Sequence, residues 1–143
     1  MRGAIVADTG GLLRGIAAAP NGKAAYPEFE AALLGATRIF VPALVLSEVD
    51  YFLSTERRVM RRLVDEIFDP ETTYEYVPTT PADVVRGLAL DEKSGSLELG
   101  LVDGVVAAVA ERLRVFRVLT TDRRDFGALR VGARHAKALT LVP

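Results

Sequence analysis

Residues 3–8 read GAIVAD, four apolar side chains in an unbroken row closed by a carboxylate. An apolar run without alternation, bounded this tightly, is the pattern of a strand covered on both faces. Four later β-rich runs share its character: RIFVP (38–42), TYEYVP (73–78), FRVLTT (116–121) and ALTLVP (138–143). Helical periodicity fills the intervals, over roughly 10–18, 22–36, 43–54, 56–68, 82–93 and 102–113. Strand and helix therefore alternate. The expectation is an α/β fold, a mainly parallel five-stranded sheet with helices on both faces.

Local signals support several boundaries. In TTPADV (79–84), Thr80 stands at an N-cap, Pro81 at the first helical position and Asp83 two residues further on, a strong helix start. Pro42 opens a helix directly after RIFV. KSGSLELG (93–100) reads as a loop ahead of the helix at 102. Tyr26, Phe29, Leu33 and Ala36 share one face of the 22–36 segment and form a docking stripe. In ERRVMRRL (56–63), Arg57, Arg58, Arg61 and Arg62 repeat at helical spacing, either as a solvated face or as a phosphate-facing patch.

The chain of 143 residues is long enough to bury about two thirds of its unfolded surface in one core, and residues 1–143 are expected to form a single domain. Half the residues are apolar and 26% charged, which excludes bulk disorder. With no cysteine, disulfides, a thiolate nucleophile and a Cys-ligated zinc are all excluded, and a cytoplasmic address is compatible. No apolar stretch approaches membrane-spanning length, so neither a membrane span nor a secretory segment is expected. The balance of 18 cations against 19 acids neither requires nor excludes a nucleic-acid partner.

Four acids stand where acids are unfavourable. Asp103, in LVDGVVAAVAERL (101–113), shares a helical stripe with Val106, Ala107 and Ala110. Glu48 lies mid-helix among Leu44, Val45, Tyr51 and Phe52. Asp8 and Asp122 each end a strand, and Asp125 follows three residues after Asp122. Each has a structural explanation: a buried ion pair for Glu48, the helix dipole for Asp103, capping for Asp8 and for the Asp122–Asp125 pair. Together they have another. In a parallel sheet, strand C-termini and the N-termini of following helices meet along one edge, where sites form. Carboxylates gathered there without cations repel, and a divalent ion is the natural neutraliser. Oxygen ligands without cysteine, and with His135 the one imidazole and read as a surface residue, favour Mg²⁺ or Mn²⁺ over zinc. Such an ion suits phosphate-ester cleavage.

The order VADTG, LSEV, LVDGVVAAVA and LTTDRRDF resembles the PIN domain, specifically the VapC-type toxin ribonucleases of toxin–antitoxin pairs. The resemblance implies a PIN-like three-layer sandwich and a Mg²⁺- or Mn²⁺-dependent endoribonuclease. Asp8, Asp103 and Asp122 would hold the metal, with Glu48 and Asp125 as further candidates, and Thr9 and Thr120 as supporting hydroxyls. Gly10 departs from the pattern, standing where a small hydroxyl residue is common. RNA would be gripped by Arg57, Arg58, Arg61, Arg62, Arg123 and Arg124. A structured RNA such as tRNA or ribosomal RNA, a cognate VapB-type antitoxin lying across the first helices with the apolar stripe of 22–36 serving to bind it, and a homodimer are also implied. A haloacid-dehalogenase-type phosphatase would need a second acid at position 10, which is glycine, and a receiver domain would need a late strand-end lysine. The remaining alternative is a PIN-like scaffold that binds RNA or protein without cutting.

Overall fold

The computed structural model describes residues 3–93, 95 and 99–143; the expected loop at 93–100 falls largely outside them. Strand β1 (Ala4–Ala7) leads through α1 (Thr9–Ile16) and α2 (Pro27–Gly35) to β2 (Arg38–Pro42), and α3 (Ala43–Phe52) and α4 (Arg57–Phe68) lead on to β3 (Tyr74–Val77). Then α5 (Pro81–Lys93) and α6 (Gly100–Leu113) return the chain to β4 (Arg117–Leu119), followed by α7 (Arg123–Ala128). A ribbon of β5 (Arg130–Val131) and β6 (Lys137–Ala138) precedes the last strand, β7 (Thr140–Val142).

The main sheet has the order β3-β2-β1-β4-β7, and every pairing in it is parallel. The path moves outward from β1 to β3, then jumps back across β2 and β1 to β4. Right-handed crossovers therefore place α1 to α4 on one face and α5 to α7 on the other. β1 is buried throughout, as its unbroken apolar run requires. The five expected strands and the helices on both faces are all present.

Helix α6 is the pillar of the second face. Gly104 to Ala110 are all buried, and α6 packs against β1 and β2 with α5 over it. Its small residues permit this: a Cβ on Gly87 of α5 would come within 2.8 Å of the Gly104 carbonyl carbon, so the two helix backbones touch and any larger side chain would separate them. The start of α5 is locked by a reciprocal capping box. The Asp83 amide donates to Thr80 Oγ1 (3.1 Å), and the Thr80 amide donates to Asp83 Oδ2 (3.1 Å).

Two boundaries and one surface differ from expectation. The helix at 22–36 begins only at Pro27, because Pro20-Asn21-Gly22 forms a turn in which Gly22 takes φ 81° and its amide donates to Ala19 (2.8 Å). On α2, Phe29, Leu33 and Ala36 are buried in the protein's own core, leaving Tyr26 exposed; the stripe docks against α1 rather than staying open. The ALTLVP run divides, Ala138 belonging to the antiparallel ribbon and Thr140–Val142 to the main sheet. Among the described residues no helix is long and apolar enough to cross a membrane.

Candidate active site

The strand order places Asp8 beside Thr120, one step beyond the Ala7–Leu119 register pair. The Asp8 amide donates to the Leu119 carbonyl (2.9 Å). Although Asp8 occupies the N-cap of α1, its side chain makes no capping bond, so capping does not account for the carboxylate. Its Oδ2 instead accepts from the Thr120 hydroxyl (2.8 Å), and that hydroxyl accepts from the Asp122 amide (2.9 Å). Asp8 Oδ1 is buried without a hydrogen-bond partner. An orphaned buried carboxylate oxygen is costly and calls for a ligand.

The approach of α1 to β4 that makes this contact depends on Gly11. A Cβ there would drive into the Leu119 carbonyl and stand 2.8 Å from the Thr120 amide nitrogen, backbone atoms that cannot step aside. At Gly10 a Cβ would press on the Thr121 hydroxyl; the glycine at this position leaves room for that hydroxyl.

Glu48 lies two turns into α3, where the Thr9 hydroxyl donates to its Oε1 (2.6 Å). The ion-pair explanation fails: among the described residues no ion pair involves Asp8, Glu48, Asp103 or Asp122. Asp122 Oδ1 caps α7 by accepting from the Asp125 amide (3.0 Å), so the capping explanation holds for one of its two oxygens.

Asp103 sits in the first turn of α6, where the helix dipole favours a charged acid. Burial, followed by the charges of Asp8, Asp122, Glu48 and Asp125, nonetheless pushes its carboxyl up to about 8. Asp8 is also raised, by burial first; the Thr120 hydroxyl and Thr9 amide pull it down, while Glu48 and Asp122 push it up. The fold therefore brings all five acids into mutual electrostatic range at the C-terminal edge of β1 and β4.

The donor set fits a hard divalent ion. It consists of carboxylate oxygens, one of them buried and unsatisfied, with no thiolate and no imidazole among them. No three acidic or imidazole side chains among the described residues stand close enough to enclose an ion unaided, but Mg²⁺ is commonly held by one or two carboxylates and keeps several waters. His135 lies elsewhere, near Glu111 at the far end of α6.

The arginines divide into two groups. Arg57 is tied to Asp50 (2.6 Å) and Arg62 pairs with Glu66 (3.3 Å), whereas Arg58 and Arg61 are exposed without an ion pair among the described residues. Arg123 donates to the Pro143 carbonyl (3.1 Å), and Arg124 is exposed. Arg123 also lines a groove of about 420 Å³ with Arg14, Glu28, Phe29, Thr120 and Thr121, so the groove opens beside the hydroxyl that holds Asp8. Arg14 was missed from the sequence. Its guanidinium stacks 4.8 Å from the Tyr26 ring centroid and 5.4 Å from that of Phe29, contacts that depend on α2 folding back onto α1.

The chain is similar to the solved structure of VapC20 of Mycobacterium tuberculosis, a sarcin-ricin loop cleaving toxin, with a TM-score of 0.69 at 14% identity over 84% of this chain and 91% of that one. No match was found among curated proteins. A PIN domain model matches residues 5–131, a span that runs from β1 to β5 and takes in all five acids, and the chain belongs to the PIN domain family.

Proposed function

We propose that residues 1–143 act as one PIN domain, a metal-dependent endoribonuclease serving in the cytoplasm as the toxin of a toxin–antitoxin pair, with tRNA or ribosomal RNA as substrate. The observation that carries this reading is the convergence of five carboxylates on one sheet edge, four of them without an ion pair among the described residues, around the buried and unsatisfied Asp8 Oδ1.

In this reading Asp8, Asp103 and Asp122 would hold Mg²⁺ or Mn²⁺ directly or through bound water, with Asp125 and Glu48 at its margin. When bound, the ion would supply charge neutralisation, polarisation of the phosphoryl oxygen and a coordinated water more acidic than bulk water. Thr120 fixes Asp8 and Asp122 relative to each other through one hydroxyl. Thr9 orients Glu48, which positions the attacking water for in-line displacement, leaving a 5′ phosphate and a 3′ hydroxyl. Arg14, Arg123 and Arg124 grip the RNA beside the acids, and Arg57, Arg58, Arg61 and Arg62 extend the grip along α4.

The antitoxin is assigned to a groove of about 470 Å³ between α1, α2 and α4, lined by Ile16, Leu34, Val59, Leu63 and Tyr74 with Arg62 and Glu66. Leu34 is 79% exposed there, so this groove, rather than the buried α2 stripe, offers open apolar surface. A homodimer completes the assembly.

The test is incubation of antitoxin-free protein with total RNA, in Mg²⁺ or Mn²⁺ and in EDTA, beside Asp8→Asn, with sequencing of the new RNA ends. Discrete cleavage requiring both metal and Asp8 is expected. Folded protein that retains RNA binding but cuts under no metal would establish the scaffold alternative.

A further inference from the structure

At the end of α6 remote from the acids lies a cavity of about 590 Å³, walled by α5, the C-terminal turn of α6, the segment entering β4 and the β5–β6 ribbon. Its one lining acid, Glu111, is fully engaged. Arg86 grips it through two parallel bonds (2.8 and 2.9 Å), and the Gly132 amide donates to it (2.6 Å). The Arg86 bonds and the Gly132 amide hold it charged, below the usual carboxylate range, against the opposing effect of burial. Glu111 and Arg86 thus cancel as a rigid wall.

Arg114 and Lys137 also line the cavity, and among the described residues neither has an ion-pair partner. The Lys137 ammonium stands 5.1 Å from the Phe116 ring centroid, a contact that restrains it against an apolar surface. The helix dipole excuses a cation at Arg114, the C-cap of α6, but not a second one brought in by the ribbon. The loop that delivers Lys137 holds Arg134 at φ 62° and His135 at φ 51°, left-handed conformations uncommon for side-chain-bearing residues.

We infer that this cavity binds a nucleotide phosphate, with the anion between Arg114 and Lys137 and the base against Phe116. The volume lies within the range of small-ligand pockets, and two cations beside an aromatic ring are the elements that recognise a phosphorylated nucleoside. The site is separate from the acids. At 1.5 Å per residue, α6 sets Asp103 and Arg114 about 16 Å apart, and its middle is fully buried, so one mononucleotide cannot bridge them. Two sources present the same phosphate chemistry, a free mononucleotide and an RNA backbone.

The experiment is amide NMR titration of the metal-free protein with inorganic phosphate, with a 5′-mononucleotide and with a short single-stranded RNA, repeated on Asp8→Asn, Lys137→Gln and the pair Arg114→Ala/Lys137→Ala. Saturable shifts on Phe116, Gly132, Ala133 and Lys137 are expected, with the nucleotide binding more tightly than phosphate. They persist in Asp8→Asn, and affinity falls at least about tenfold in the double variant. Competition by RNA would assign the site to RNA backbone, and failure to compete would assign it to free nucleotide. Absence of saturation at about 10 mM ligand, or shifts retained in the folded double variant, would overturn the proposal. None of these readouts requires cleavage, so the result stands apart from that of the nuclease test.

Discussion

The two ends of α6 treat acids in opposite ways. At its C-terminal end, Glu111 is clasped by Arg86, and Arg112 reaches across to Asp83 with two bonds of 2.9 and 3.0 Å. At its N-terminal end, Asp103 faces four further acids, and no ion pair reaches Asp8, Glu48, Asp103 or Asp122 among the described residues. The carboxyls move in opposite directions accordingly. For Asp83, burial is the largest effect and raises the pKa, but the Arg112 and Thr80 hydrogen bonds outweigh it and hold the carboxyl low; Asp103 is driven up to about 8. Burial is common to both ends, so it does not mark a site. What marks the site is burial that the protein leaves uncompensated, because a fold that needed these acids only for stability would have supplied partners.

The largest effect is expected from Asp103→Asn, which removes the contrast at the acid end. RNA cleavage should fall by about three orders of magnitude. The metal-free variant should nevertheless melt higher than wild type, because a repelled carboxylate is gone. In metal-free wild type, folded Asp103 keeps a proton that the unfolded chain releases, so stability declines as pH rises from the ordinary carboxylate range through about 8; the variant should lack that slope. Thermal melts with and without Mg²⁺ check this, and equal stabilisation of both proteins by Mg²⁺ would contradict the site.

Asp83→Asn attacks the other end. It removes the ion pair with Arg112 while keeping an oxygen that can accept from the Thr80 amide, and should cost about 2–3 kcal/mol of stability by denaturant titration while leaving cleavage per folded molecule unchanged. Since the folded carboxyl lies below its ordinary range, its contribution is complete at neutral pH. It drains away as pH falls through that lowered value, a dependence the variant should lose.

Thr120→Val sharpens the comparison at a single hydroxyl. Asp8 and Asp122 stay while their shared link goes, and cleavage should drop about 10- to 100-fold with metal affinity weakened in step. Smallest is the effect of Arg58→Ala and Arg61→Ala. Each should lower the salt dependence of RNA binding by about one unit of slope, and an unchanged slope would remove α4 from the RNA surface.

Much of this was legible because it rests on local pattern. The unbroken apolar run before Asp8, the mid-helix position of Glu48 and the stripe shared by Asp103 each conflict with the chemistry of their neighbours, and such conflict is visible in a single sequence. The Thr80–Asp83 capping box was readable for the same reason. What escaped depends on contacts between distant residues. Arg112 finds Asp83 at a separation of 29 residues, and Gly11 matters only because β4 arrives against it. The β5–β6 ribbon has strands of two residues each, too short to show a period. The turn at Pro20-Asn21-Gly22 carried an ordinary turn signature, and helical periodicity over the surrounding residues concealed it.

The hydrogen bond between Thr120 and Asp8 spans 112 residues of sequence, and β4, which carries Thr120 to its place, must first pair with the edge of β1. During synthesis the first acid emerges early, at a few to twenty residues per second, but it has no companion until the chain has extended beyond Asp122. A nascent chain that stops short of Asp122 therefore lacks the assembled cluster of acids. Under the nuclease reading, the ribosome making this protein would have to pass Asp122 before a competent cutting centre could assemble beside it.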